Sequence, residues 1–212
     1  MPLMLVDLDN TLIDRDSAFR SAVASFLAEH GLPGTDLGWI MGLDASGYTA
    51  RDVVAAAMVD RYASTASGST IHALLDNGAA DRLVLARETE EALIAARARG
   101  WTRVIVTNGR TAQQEAKIRN TGLDRLVDGW VVSEAVGHRK PGPEIFHAAA
   151  GIGRISLRDA WVIGDSAEAD IAGAVALGLN SVWVSNGRTW SQDAYQPTEI
   201  TGDVATAIRR II

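Results

Sequence analysis

Val104-Ile105-Val106-Thr107-Asn108-Gly109 is an apolar run that stops abruptly on polar and turn-forming residues. Three consecutive β-branched residues are too short a run for a buried helix and suit a strand covered on both faces. A helix-like stretch ends at Gly100 just before this run, and the same alternation continues after it. A helix over 112–120 leads to Trp130-Val131-Val132, one over 143–150 to Trp161-Val162-Ile163, and one over 167–177 to Val182-Trp183-Val184. Near the N-terminus, Leu3-Met4-Leu5-Val6 is a further apolar run, and it breaks into Asp7, Asp9, Asn10 and Asp14. Apolar strands alternating with helices predict a parallel sheet covered on both faces, the doubly wound α/β class.

Between the first strand and this cycle no convincing strand occurs before Trp101. Residues 17–30 carry Phe19, Ala22, Val23, Phe26 and Leu27 at helical spacing, with Gly31 and Pro33 supplying the stop. Residues 52–62 and 70–75 read as further short helices. A structureless loop of such length is out of place in a compact domain. The sequence therefore predicts an all-helical domain over 15–85, inserted into an α/β core formed by 1–14 and 86–212.

Composition narrows the function. The 212 residues include 20 Lys+Arg against 26 Asp+Glu, a net charge of −6, and no cysteine. An acidic chain without a basic run has no electrostatic footprint for nucleic acid. The missing cysteines exclude disulfides, thiolate zinc sites, iron–sulfur clusters and cysteine nucleophiles. No stretch approaches the roughly 20 apolar residues of a bilayer span, and no cationic segment with a long apolar run opens the chain, so the expectation is a soluble cytoplasmic protein. The histidines, His30, His72, His138 and His147, have no ligand spacing. Only two of the basic residues are lysines, Lys117 and Lys140.

Ligands of open parallel sheets bind outside the carboxyl ends of the strands, and four such ends here carry polar groups. Asp7-Leu8-Asp9-Asn10-Thr11-Leu12 places two carboxylates on alternate residues leaving a strand, where they can reach one site; their repulsion favours a bound cation or a raised pKa. Thr107-Asn108-Gly109 offers a hydroxyl and amides to an anionic oxygen. Arg139-Lys140-Pro141-Gly142-Pro143 puts a lysine in a loop opening a helix, in a chain that otherwise prefers arginine, which suits a compact ammonium over a planar fork. Gly164-Asp165-Ser166-Ala167-Glu168-Ala169-Asp170 adds carboxylates of the kind magnesium accepts. Taken singly, a turn, a solvated lysine and a helix cap account for these features. Lys117, in the polar stretch 113–120, reads as a solvated helix residue, and Trp190 with residues 185–197 has no evident role. Val106-Thr107-Asn108-Gly109-Arg110-Thr111 is echoed by Val184-Ser185-Asn186-Gly187-Arg188-Thr189, which shared turn chemistry explains.

Taken together and in this order, the four segments resemble the four motifs of the haloacid dehalogenase-like hydrolase superfamily, and the helical insertion resembles the cap of the subgroup whose cap follows the first strand. The resemblance implies that Asp7 is a nucleophile forming an aspartyl-phosphate. It implies that Asp9 is the general acid and then the base. Magnesium would be held by Asp7, the main-chain carbonyl of Asp9 and Asp165, with Asp170 as an outer partner. Thr107, Asn108 and Lys140 would bind the phosphoryl oxygens, and Arg15, just past the first motif, would face substrate. Dehalogenase relatives lack an acid at the position of Asp9, and phosphonate-cleaving relatives need a cap lysine, whereas residues 12–90 contain none. The implied activity is a magnesium-dependent phosphatase acting on a small phosphorylated metabolite. A capped phosphosugar mutase and a catalytically silent phospho-ligand sensor or regulatory partner are the alternatives.

Overall fold

Six parallel strands form one sheet in the computed structural model, which describes residues 1–212. They are β1 (Leu3–Val6), β2 (Thr102–Thr107), β3 (Gly129–Val132), β4 (Trp161–Gly164), β5 (Asn180–Val184) and β6 (Glu199–Thr201), in the order β3-β2-β1-β4-β5-β6. Every residue of β1 and β2 is buried, which is why Leu3–Val6 and Val104–Val106 read as continuous apolar runs. Arg103 precedes the second run and is still buried, because Asp128 accepts both its backbone N–H (2.8 Å) and its guanidinium (Nη2–Oδ2 2.9 Å).

The chain divides into two compact units, Met1–Ile13 with Val84–Ile212, and Asp14–Leu83. The second unit holds α1 (Arg15–Glu29), α2 (Leu37–Asp44), α3 (Arg51–Tyr62) and α4 (Gly68–Asn77). The side chain of Asp14 caps α1 by accepting from the Ser17 N–H (2.9 Å), and Gly31, at φ +61°, follows its end. Phe19, Val23, Ile40, Val54, Met58 and Ile71 form its core, fully buried. At about 1.5–3 kcal/mol for each large apolar side chain removed from water, a shared core of this kind holds short helices that would not persist alone.

The sheet unit adds α5 (Arg87–Ala98), α6 (Thr111–Asn120), the single turn α7 (Ser133–Val136), α8 (Pro143–Gly153), α9 (Ala172–Ala176) and α10 (Val204–Ile211). β6 and α10 extend the fold past the last strand legible in the sequence. The helix expected over 167–177 instead opens as a π-helical turn, Ala167–Ile171, before α9. Capping bonds shape that opening: Ser166 Oγ accepts from the Ala169 N–H (3.0 Å) and Asp170 Oδ2 from the Ser166 N–H (3.1 Å). No helix is long and apolar enough to cross a membrane.

The strand order reverses between β1 and β4. The first connection from β1 runs to β2 on one side, while β4 lies on the other. That reversal opens a crevice at the carboxyl ends of the two strands, and Asp7 and Asp165 stand immediately past those ends.

Candidate active site

Asp7 follows the last residue of β1, and its N–H donates to the Ile163 carbonyl of β4 (2.9 Å), so the ladder itself fixes where the carboxylate leaves the sheet. Asp165 follows the last residue of β4. Its backbone carbonyl accepts from Trp183 Nε1 (2.8 Å) and Arg188 Nη2 (2.8 Å), and its Oδ2 accepts from Arg188 (3.0 Å). Asp170 approaches from the π-helical turn and is 1% exposed. Gly164 is what admits it: a Cβ at that position would stand 2.2 Å from the Asp170 carboxyl carbon, so only glycine lets the carboxylate press against β4. One oxygen of each of Asp7, Asp165 and Asp170 lies within 4.8 Å of the others.

Lys140 neutralises part of this cluster. Its ammonium donates to Asp7 Oδ1 (2.6 Å) and Asp170 Oδ1 (2.7 Å), with the residue only 3% exposed. Burial alone would lower the Lys140 pKa, and the carboxylates of Asp170 and Asp7 more than reverse this, so it is held above the usual lysine value. The pKa values of the acids rise as well, in their case because of burial. Burial, with repulsion from Asp170 and Asp165, raises Asp7 to about 8 against the attraction of Lys140. Burial and Asp170 raise Asp165 to about 6, with Arg188 and Lys140 opposing. Buried carboxylates crowded beyond the cations that balance them are a site short of positive charge. Hard oxygen donors in this number fit a small divalent cation such as magnesium. Asp170, expected as an outer partner, lies within the cluster, with Oδ1 accepting from Lys140 and Oδ2 from the Ser166 N–H.

The Lys140 loop is tied down by Asn108. The Asn108 side-chain amide donates to the Lys140 carbonyl (3.0 Å), and its Oδ1 accepts from the Lys140 N–H (2.9 Å). The side chain read in the sequence as a phosphate ligand is thus spent on the backbone of the lysine loop, where it sets the lysine's position. Thr107, 1% exposed, stands at the end of β2, and its hydroxyl accepts from Gln114 Nε2 (2.6 Å).

Asp9 stands apart from the three clustered acids. Its carboxylate accepts from Lys117 Nζ at 2.8 and 2.7 Å and from Gln114 Nε2 at 3.0 Å. Lys117 is therefore not a solvated helix residue: it is 1% exposed and paired with Asp9. The polarity of 113–120 conceals a buried face, because Gln114, Lys117 and Ile118 recur at helical spacing and all three are buried. That spacing was the signal for Lys117.

The segment 185–197 also acquires a use. Arg188 reaches back to Asp165 with its guanidinium over the Trp183 ring (5.4 Å to the centroid), and the rings of Trp183, Trp190 and Tyr195 stack edge to face at 5.0 and 5.8 Å. The Tyr195 hydroxyl donates to the Ala167 carbonyl (3.1 Å), and Asn186 Nδ2 donates to the Asn10 carbonyl (2.7 Å). Arg15 differs from its expected use as a substrate contact. It is 2% exposed, pairs through both terminal nitrogens with Asp44 (Nη2–Oδ1 2.8 Å), and lies over the Phe19 ring (4.6 Å), so its guanidinium serves the interior of the helical unit.

Lys140→Arg is expected to lower turnover about 100-fold, the scale of losing one aligned donor to developing charge, because a planar fork cannot repeat two contacts below 2.8 Å in a closed pocket. Steady-state kinetics on the variant, with circular dichroism to check the fold, measures this. A near-native rate would remove Lys140 from the chemistry.

Residues 1–178 match the haloacid dehalogenase-like hydrolase family. Among curated proteins, the chain is 35% identical over 95 residues to pyrimidine 5'-nucleotidase YjjG of Escherichia coli, covering 44% of this chain and 42% of that protein. It is 31% identical over 123 residues to phosphoserine phosphatase of Thermus thermophilus, covering 58% and 49%. The matched region thus spans less than half the length of these relatives. Among solved structures, the putative hydrolase YfnB of Bacillus subtilis, bound to magnesium, superposes with a TM-score of 0.78 at 23% identity, covering 99% of this chain and 98% of that one. A sheet whose strand ends gather these acids, matched over most of its length by one family profile, leaves a single assignment: the chain belongs to the haloacid dehalogenase-like hydrolases.

Proposed function

We propose that the protein is a magnesium-dependent phosphatase that hydrolyses a small phosphorylated metabolite through a phosphorylated Asp7. The observation carrying this reading is the buried cluster of Asp7, Asp165 and Asp170 around Lys140 at the crevice between β1 and β4. The phosphatase and nucleotidase relatives support the same class of substrate.

Asp7, Asp165 and Asp170 would hold the metal, together with the Asp9 carbonyl. The bound cation supplies positive charge that keeps Asp7 ionised and offsets the charge of the phosphoryl group. The chain's own residues do the rest. The Asp7 carboxylate attacks phosphorus in line, forming an O–P bond as the bond to the alcohol oxygen breaks, and Asp9 gives that oxygen a proton. A water then forms a bond to phosphorus as the Asp7 bond breaks, with Asp9 taking a proton from the water. Alcohol and inorganic phosphate leave, and both aspartates return to their starting states. Lys140, fixed through Asn108, and Thr107 stabilise the phosphoryl oxygens.

The test is a set of phosphate esters, including sugar phosphates and nucleoside monophosphates, incubated with the protein in magnesium and in EDTA. Magnesium-dependent release of inorganic phosphate, with one group of small esters preferred, is the expected result. Isomerised ester without net phosphate release would identify a mutase. No turnover of any ester, with the ligand bound, would identify a sensor.

A further inference from the structure

Lys117 and Gln114 serve none of the roles assigned above, yet both are buried in α6 with their polar ends on the Asp9 carboxylate. A buried ammonium gives up its hydration and must recover it from its neighbours, so its location is a strong constraint on what lies beside it. The ammonium contacts both Asp9 oxygens, at 2.8 and 2.7 Å, which fixes the direction in which the carboxylate faces as well as its distance. Gln114 adds a second restraint. The same Nε2 group lies 3.0 Å from Asp9 Oδ2 and 2.6 Å from Thr107 Oγ1, so the amide spans the proposed proton-transfer group and a proposed phosphoryl ligand. The β2–α6 connection thereby sets the spacing between the two.

We infer that Lys117 and Gln114 are positioning residues that orient the Asp9 carboxyl group, which enters the step protonated, for proton transfer to the leaving oxygen. The inference rests on the phosphatase reading. It concerns the first chemical step, in which the bond from phosphorus to the leaving oxygen breaks as the bond from Asp7 forms and the proton moves from Asp9 to the departing oxygen. An aligned general acid contributes about 10²–10⁴-fold where the leaving group needs its proton and little where the leaving group departs readily as an anion. Misalignment of Asp9 therefore has a signature that a general loss of structure does not: the penalty depends on the leaving group.

The experiment compares kcat and KM for p-nitrophenyl phosphate and phenyl phosphate, in saturating magnesium chloride, for the native protein and for Lys117→Met, Gln114→Leu, Lys117→Arg and Asp9→Asn. For Lys117→Met and Gln114→Leu the expected loss of kcat/KM, which reports only the steps up to breaking of the ester bond and so excludes the later hydrolysis common to both esters, is at least about 10-fold greater with phenyl phosphate than with p-nitrophenyl phosphate. Asp9→Asn should show the same preference more strongly. Lys117→Arg, which keeps a cation against Asp9, should stay nearer the native ratio. Equal losses for both esters in Lys117→Met and Gln114→Leu, or no loss in either, would overturn the inference while leaving the phosphatase reading intact. If Lys117→Met does not fold by circular dichroism, the ratio for Gln114→Leu decides alone. A native protein that releases phosphate from neither ester would defeat both.

Discussion

Asp7→Asn is expected to reduce phosphate release by about 10⁴-fold or more, the scale seen when a nucleophile is removed from a catalytic set, without unfolding the protein. The side chain changes by one atom, and its remaining oxygen can still accept from Lys140, now 2.6 Å from Asp7 Oδ1. The N–H that anchors residue 7 to Ile163 is unaffected. What is lost is the carboxylate that must form the bond to phosphorus. Steady-state release of phosphate measures the effect. Native-like rates in the variant would mean that water attacks the ester directly and that Asp7 serves only as a metal ligand.

The second large effect is on stability without divalent cations. Asp7 is raised from 3.8 to about 8, first by burial and then by its acidic neighbours. A carboxylate with a raised folded pKa binds its proton more tightly when folded. Its contribution to stability is therefore intact below the unfolded value and is lost as pH rises through the folded one. The window runs from about pH 4 to about pH 8 for Asp7, and Asp165, raised to about 6, adds to its lower half. At about 1.4 kcal/mol for each pH unit, the loss across that window is on the order of 5 kcal/mol. Asn carries no such charge. In EDTA, the melting temperature of the native protein should fall relative to Asp7→Asn by about 10 °C between pH 5 and pH 8. Saturating magnesium at pH 8 should raise the native protein more than the variant, since only the native protein keeps all three carboxylates for the ion. Parallel melting curves for the two proteins across this pH range would show that Asp7 is not under electrostatic load.

Legibility in the sequence followed the physics of each residue. The sheet could be read because its central strands are buried on both faces and so carry apolar runs, Leu3–Val6 and Val104–Val106, with the one buried charge, Arg103, paired to Asp128. Asp7 and Asp165 could be read because charged residues at the ends of apolar strands have few structural uses, and Lys140 because it is one of only two lysines in a chain that otherwise prefers arginine. The placement of Asp170 depends on a close approach that Gly164 permits, and spacing along a chain carries no such distance. Lys117 was obscured by its polar neighbours, since a helix that buries an ion pair looks like one that faces water. Arg188 lies in a loop whose hold on Asp165 comes from packing against Trp183, a contact between residues brought together by the fold. The echoed Asn-Gly turns after β2 and β5 share more than turn chemistry. Asn108 bonds the carbonyl of Lys140 and Asn186 that of Asn10, so each asparagine ties a strand end to a neighbouring loop of the site.

The covalent step is the centre of the mechanism, and it can be observed directly. Native protein turning over a phosphate ester in magnesium would be quenched in acid and treated with borohydride, which reduces an aspartyl-phosphate to homoserine. Proteolysis and mass spectrometry then locate the change. Homoserine at position 7, dependent on both ester and magnesium and absent from Asp7→Asn, is the result predicted. Turnover with Asp7 unmodified, or homoserine at another aspartate, would contradict the account.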